Sequence, residues 1–289
     1  MKNSKLRLLT LLMLACSSNT SVAQKNYFGL SPPGSTPEIF APGIVSLEGR
    51  YEYGISFSPE LNEVYFTADI KNQGTGIYFS KIENGLWSTP RRADFTEGLM
   101  SAEMEPHVTF NGQRIYFTAF NTGGYKIWFV NRLDGIWSKA EILNSPLNNN
   151  NVLYPNTAIN GDLYYTNLSQ LKMYCSTYLD DKYSESHELE IEYGLHGFID
   201  PHKNFILLDA PKNNDSSKDR DIYVCYRKED FSWTKPINLG KEVNTIYNES
   251  CPSISPDGKY LFFSRYNETG GLPNIYWVSS EVIESLKPE

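Results

Sequence analysis

Aligning five short segments of the sequence on the turns that end them brings its acidic and imidazole side chains into three rows. The first row holds Glu52, Glu103 and Glu249, with Val152 and Gly194 completing it. Two residues further on stand Gly54, Glu105, Tyr154, His196 and Cys251, and another two on stand Ser56, His107, Asn156, Phe198 and Ser253. Alternate residues of an extended strand share a face, so the rows are expected to look into one funnel. Convergent carboxylates are the chemistry of a Ca²⁺ site. Two carboxyls with separated pKa values are the chemistry of glycoside cleavage. A Glu repeated at one position also has a plainer explanation, a hydrogen bond to the backbone of a neighbouring repeat. Glu105, His107 and His196 do not recur, which singles them out. The expected binding set is Glu52, Glu103, Glu105, His107, Tyr154, His196 and Glu249.

Other chemistry is absent from the sequence. His187 and His202 sit in polar stretches, and no His-x-His or His-Glu-x-x-His pattern occurs. There is no Gly-x-Ser-x-Gly elbow and no phosphate-binding glycine loop. Nothing marks a cofactor. Ca²⁺ is the one metal the carboxylates suggest, and no motif supports it.

The elements that must position these rows are repeated. Ser253-Ile-Ser-Pro-Asp-Gly-Lys-Tyr-Leu-Phe-Phe-Ser264 leads into Asn274-Ile-Tyr-Trp-Val278, as Val108-Thr-Phe-Asn-Gly-Gln-Arg-Ile-Tyr-Phe-Thr118 leads into Lys126-Ile-Trp-Phe-Val130. Further copies begin near Ser56, Thr157 and Phe198, at a period of roughly 40 to 55 residues, that of propeller blades. Each copy reads as four strands: a short one ending at a Pro-Asp-Gly or Asn-Gly turn, an aromatic-rich second, a third such as Asp221-Ile-Tyr-Val224, and an outer strand opened by Trp87, Trp137, Tyr183 or Trp233. The fifth copy lacks its outer strand. The segment 37–45 resembles 235–243 in its place before a Glu, so the N-terminal segment is expected to supply that strand and close the ring. The fold class is all-β, a single five-bladed β-propeller.

The Pro-Asp-Gly-Lys turn, the aromatic strand and the Asp-Ile-Tyr strand resemble TolB-like (WD40-like) β-propeller repeats over residues 36 to 285. The resemblance implies a scaffold for protein or glycan contacts in an exported bacterial protein. It implies no chemistry, which must come from a site.

Composition bounds the rest. The chain has 289 residues, 14% of them aromatic, and a formal net charge of −8, which excludes a general affinity for nucleic acid. Lys2, Lys5 and Arg7 precede an apolar run from Leu8 to Ala15, too short to span a bilayer and suited to export. Two processing sites compete: Ser21-Val22-Ala23, which gives a 1–23 signal peptide, and Leu12-Met13-Leu14-Ala15-Cys16, a lipobox-like stretch in which Cys16 is lipidated and 1–15 removed. A linker over 24–35 and the propeller over 36–289 follow. Cys175, Cys225 and Cys251 form neither a disulfide framework nor a zinc pattern. The polar run 148–151, between the second and third copies, reads as a flexible loop, and 212–221 as a solvated hairpin loop. The expectation is a monomeric, exported binding module in the periplasm, at the outer membrane or secreted, with a protein or glycan partner and membrane contact only through a lipid anchor. The alternative is a polysaccharide hydrolase or lyase using the channel mouth.

Overall fold

The computed structural model describes residues 26–212, 219–267 and 271–288. The export segment and Cys16 therefore lie outside the described residues, as does most of the charged 212–221 loop. Five antiparallel sheets form five blades. The inner strands are Tyr51–Phe57, Ala102–Val108, Val152–Thr157, Leu195–Ile199 and Glu249–Ile254, in blades 1 to 5. The second strands, Glu63–Ile70, Arg114–Asn121, Leu163–Asn167, Phe205–Pro211 and Tyr260–Tyr266, are buried along most of their length on both faces. That is why they read as aromatic runs without alternation.

The ring closes as the fifth copy requires. Glu38–Ile39 pairs antiparallel with the third strand of blade 5, Pro273–Ser279, placing Glu38 opposite Trp277. The Phe40 amide donates to the Ile275 carbonyl at 2.8 Å, and the Phe40 ring packs edge-on against Phe57, Phe262 and Trp277. One apolar cluster therefore spans blades 1 and 5 across the seam.

Within the linker expected over 24–35, two aromatic residues pack against the propeller. Tyr27 is buried, makes edge contacts with Phe57 and Tyr260, and donates its hydroxyl to Asp257 at 2.8 Å. Phe28 stacks on Trp87 at 4.4 Å. Aromatic side chains here find the apolar floor of the seam, a contact that no local pattern announces. The polar run 148–151 is likewise ordered into the fold. Asn148 accepts from the Ile127 amide and donates to the Ile127 and Leu143 carbonyls, stitching the linker to blade 2.

Replacing Tyr27 with Ala is expected to cost about 3 kcal/mol, in the range for large buried aromatics. Urea unfolding of the variant beside the parent protein checks this. A loss below about 0.5 kcal/mol, the level of an ordinary surface substitution, would leave the segment as the linker first expected.

Candidate functional site

Every inner strand carries a β-bulge at the same place. Pairing with the second strand skips one residue between Tyr53 and Ile55, and the same shift recurs within 104–107, 153–156, 195–198 and 250–253. The residue at that place adopts left-handed backbone in all five blades: Gly54, Glu105, Tyr154, His196 and Cys251, with φ between 44° and 57°. Four are not glycine, and each such residue costs about 1 kcal/mol or more, strain that persists only where the surroundings enforce it.

The enforcement is visible. In each blade the second-strand residue paired just before the bulge is Thr67, Thr118, Thr166, Asp209 or Ser264. The Glu105 amide donates to Thr67 Oγ1 at 2.7 Å, the Tyr154 amide to Thr118 Oγ1 at 3.2 Å, and the His196 amide to Thr166 Oγ1 at 3.1 Å. The Cys251 amide donates to Asp209 Oδ2 at 3.1 Å, and Ser264 closes the ring by donating to the Glu52 carbonyl at 3.0 Å. Each blade thus latches the bulge, or its approach, in the next.

The extra residue shifts the alternation, so the three rows do not share one face. Glu52, Glu103 and Glu249 bond to the linkers that precede their strands. Glu52 pairs with Arg50 at 2.5 Å and accepts from the Leu47 amide. Glu103 takes the Phe95 and Thr96 amides, while Glu249 takes the Thr245 amide and hydroxyl and pairs with Arg265 at 3.0 Å. Burial pushes Glu52 up to about 7 and raises Glu249, with the cationic partners opposing it in both.

The third row staples neighbouring blades. Ser56 accepts from the Val108 amide, His107 Nε2 from the Thr157 amide at 3.0 Å, and Asn156 from the Ile199 amide at 2.8 Å. Ser253 donates to the Ile55 carbonyl. Burial alone drives His107 down to about 3, so it is neutral and held as an acceptor.

Of the expected set, Glu105, Tyr154 and His196 come together on the axis, joined by Cys251 and by two residues the sequence reading missed, Asp209 and Arg220. His196 Nδ1 donates to Asp209 Oδ2 at 2.8 Å, and its Nε2 lies 3.9 Å from Glu105 Oε1. Arg220 binds Asp209 through Nε, at 2.9 Å, and Nη2. Glu105 Oε2 accepts from the Thr118 hydroxyl and the Tyr154 amide, each at 2.8 Å. Tyr154 donates its hydroxyl to the Pro252 carbonyl at 2.8 Å. Blades 3 and 5 are not neighbours, so this ring bridges the channel.

Burial works against charge on His196, but Asp209 and then Glu105 outweigh it, and the imidazole titrates above its usual range. Burial likewise opposes ionisation of Asp209, yet His196 and Arg220 hold that carboxyl below the usual range. Glu105 is raised by burial despite His196. Cys251, His196 and Asp209 have the order of a nucleophile, base and orienting acid, but burial and then Glu105 and Asp209 push the thiol far up. That is the reverse of what an activated thiolate needs. The signal that marks Asp209 is in the repeat: the other four copies carry Thr or Ser there.

Space on the axis is small. The cavity bounded by Gly54, Glu105, Tyr154, Phe198 and Ser253 has a volume of about 40 Å³. A second cavity, about 430 Å³, opens between blades 2 and 3 and is lined by Phe110, Arg114, Tyr116, Tyr178 and Tyr183 among others.

No protein-family model matches the sequence, and no curated protein does. Among solved structures, TolB from Acinetobacter baumannii is 13% identical with a TM-score of 0.50, covering 80% of this chain and 54% of its own. The chain thus spans about half the length of that TolB. A GH43 endo-arabinanase from Bacillus licheniformis is 11% identical with a TM-score of 0.50, covering 81% of this chain and 95% of its own. The GH43 BlXynB protein from the same organism is 9% identical with a TM-score of 0.52, covering 85% and 57%. These likenesses are of fold: the chain is a TolB-like β-propeller in architecture.

His107 sets an acid limb to stability. The unfolded chain takes up a proton near pH 6.5 and the folded chain only near pH 3, so stability falls as pH drops through that window, by about 1.4 kcal/mol per unit. His107→Asn, copying the role of Asn156, should remove this limb. Between pH 7 and pH 5 the parent is expected to lose about 2 kcal/mol more than the variant in urea unfolding. Equal losses would contradict the neutral, stapling histidine.

Proposed function

We propose that this protein is an exported binding module of the cell envelope that takes a glycan in the cleft between blades 2 and 3. The cleft is the observation that carries the reading, because it joins a volume in the range of ligand pockets, about 300 to 1,000 Å³, to a lining of three tyrosines around Arg114, whereas the axial cavity is far below that range.

A departure from the repeat accounts for the opening. At the seam of blades 1 and 2, Trp137 donates its indole N–H to Tyr65 at 2.8 Å, and Arg132 pairs with Glu63. At the next seam the matching positions are Tyr183 against Tyr116, with hydroxyls 2.7 Å apart, and Tyr178 against Arg114. A smaller ring replaces the indole and no ion pair joins the two sides. Arg114 is left fixed by Asn131 at 2.8 Å and the Tyr116 hydroxyl at 2.9 Å, with its guanidinium over Phe129. Tyrosine faces suit the apolar faces of sugar rings, while Arg114, Asn111, Gln113 and Asn131 supply donors and acceptors for hydroxyls. A fixed guanidinium favours a carboxylate-bearing sugar.

Catalysis has less support. Of the six residues an enzymatic site would draw together, only Glu105 and His196 approach each other; the other four bond to linkers or to the next blade. The charged and apolar run at the N-terminus supports export. Among the described residues no helix is long and apolar enough to cross a membrane. A monomer bearing Cys16 as an optional lipid anchor completes the proposal.

Screening the mature protein against neutral and uronate-bearing oligosaccharides, then titrating the best binder by calorimetry, tests this. Tyr178→Ala and Arg114→Ala are each expected to weaken binding at least tenfold, the latter more for uronates. Binding unchanged in both variants, or no binder in the panel, would overturn the reading.

A further inference from the structure

We propose that the centre of the channel is a site for one divalent transition metal ion of the zinc class, held by Glu105, His196 and Cys251. One donor atom from each lies within 4.8 Å of the other two. Ligands at zinc sit about 2.0 to 2.3 Å from the ion, hence about 3.3 to 3.8 Å from one another. The three need close by only about 1 Å to meet that geometry.

Glu105 and His196 are each held on the far side and open on the near side. Glu105 Oε2 is spent on Thr118 and the Tyr154 amide, which leaves Oε1 facing His196 beyond hydrogen-bond reach. His196 gives its Nδ1 proton to Asp209, which leaves Nε2 as the nitrogen facing Glu105 and, once its own proton is displaced, free to take a metal. This is how a carboxylate behind an imidazole orients it for a metal. Asp209 is in turn gripped by Arg220 and also receives the Cys251 amide. All three ligands come from the left-handed bulge row, a strained conformation shared by Glu105, Tyr154, His196 and Cys251.

The donor set decides the metal class. One thiolate, one imidazole and one carboxylate are a zinc-like combination rather than the all-oxygen cage that Ca²⁺ requires. With the thiol and carboxyl ionised, a divalent ion makes the three-ligand centre neutral, which suits a buried place. Binding expels the thiol proton and any proton on Nε2 to solvent. His196 is 22% exposed at its side chain, so the cluster is not wholly sealed from water. Asp209 departs from the Thr or Ser of the other copies, and it does so beside His196 and Cys251. A hydroxyl serves the latch in the other blades, so the carboxylate is not needed for repeat upkeep.

The test uses the mature protein stripped with chelator, titrated with zinc chloride by calorimetry and with cobalt chloride by absorbance. The expected result is one zinc per chain with submicromolar affinity and a near-ultraviolet cobalt–thiolate band. Cys251→Ala and His196→Gln should weaken zinc at least 100-fold and abolish the band, and Asp209→Asn should weaken zinc about 10- to 100-fold through lost orientation. Folding of each variant is checked by circular dichroism; should Cys251→Ala not fold, the cobalt band must persist in the doubly substituted Cys175→Ala, Cys225→Ala protein, and its loss there overturns the proposal. Parent protein without a thiolate band, or a band that survives in Cys251→Ala and so belongs to Cys175 or Cys225, overturns the proposal.

Discussion

A single contact repeated around the ring governs this structure: a hydroxyl or carboxylate on the second strand of one blade engages the inner strand of the next. In three blades that contact is a Thr hydroxyl receiving the amide of a bulge residue in left-handed backbone, and in a fourth it is Asp209. The fifth, from Ser264, reverses the direction and binds the Glu52 carbonyl. Because a buried amide without a partner is expensive, the latch does two things. It fixes blade against blade, and it holds open a conformation that side chains otherwise avoid. Gly54 shows how tight the arrangement is, since a Cβ there would lie 3.3 Å from the Glu105 Cα.

Much of the architecture was legible because it is carried by repeated local signals. The turns, the aromatic strands and the missing outer strand of the fifth copy together required a closed five-bladed ring, and the pairing of Glu38–Ile39 with blade 5 delivers it. The site was legible only in part. Alternation predicts that residues two apart share a face, and one inserted residue at the bulge breaks that rule. So Glu52, Glu103 and Glu249 serve their linkers and His107 staples blade 2 to blade 3, while Glu105, Tyr154 and His196 reach the axis. Asp209 went unnoticed because the rows were read on inner strands alone. Its departure from Thr and Ser was in the sequence all along. Tyr27 could not have been assigned to the core, since its partners Asp257 and Tyr260 lie at the far end of the chain.

The two regions proposed as sites use the repeat differently. The axis is filled: Tyr154 bridges blades 3 and 5, and polar groups there are mostly paired with one another. Such a centre suits an ion, not a sugar ring. The seam between blades 2 and 3 has Tyr183 where neighbours have Trp, and a cavity of about 430 Å³ opens there. In both places the informative residues are those that break the pattern, because the pattern itself is spent on holding the ring together.

The latch is tested most directly by Thr67→Val, a change that keeps the shape of a fully buried side chain and removes only the hydroxyl that receives the Glu105 amide at 2.7 Å. Measured by urea unfolding, the variant should be less stable by about 2 kcal/mol, the cost of leaving a buried amide unpaired. A stability within about 0.5 kcal/mol of the parent, as for a neutral substitution, would mean that the bulge row is held by something other than the blade before it.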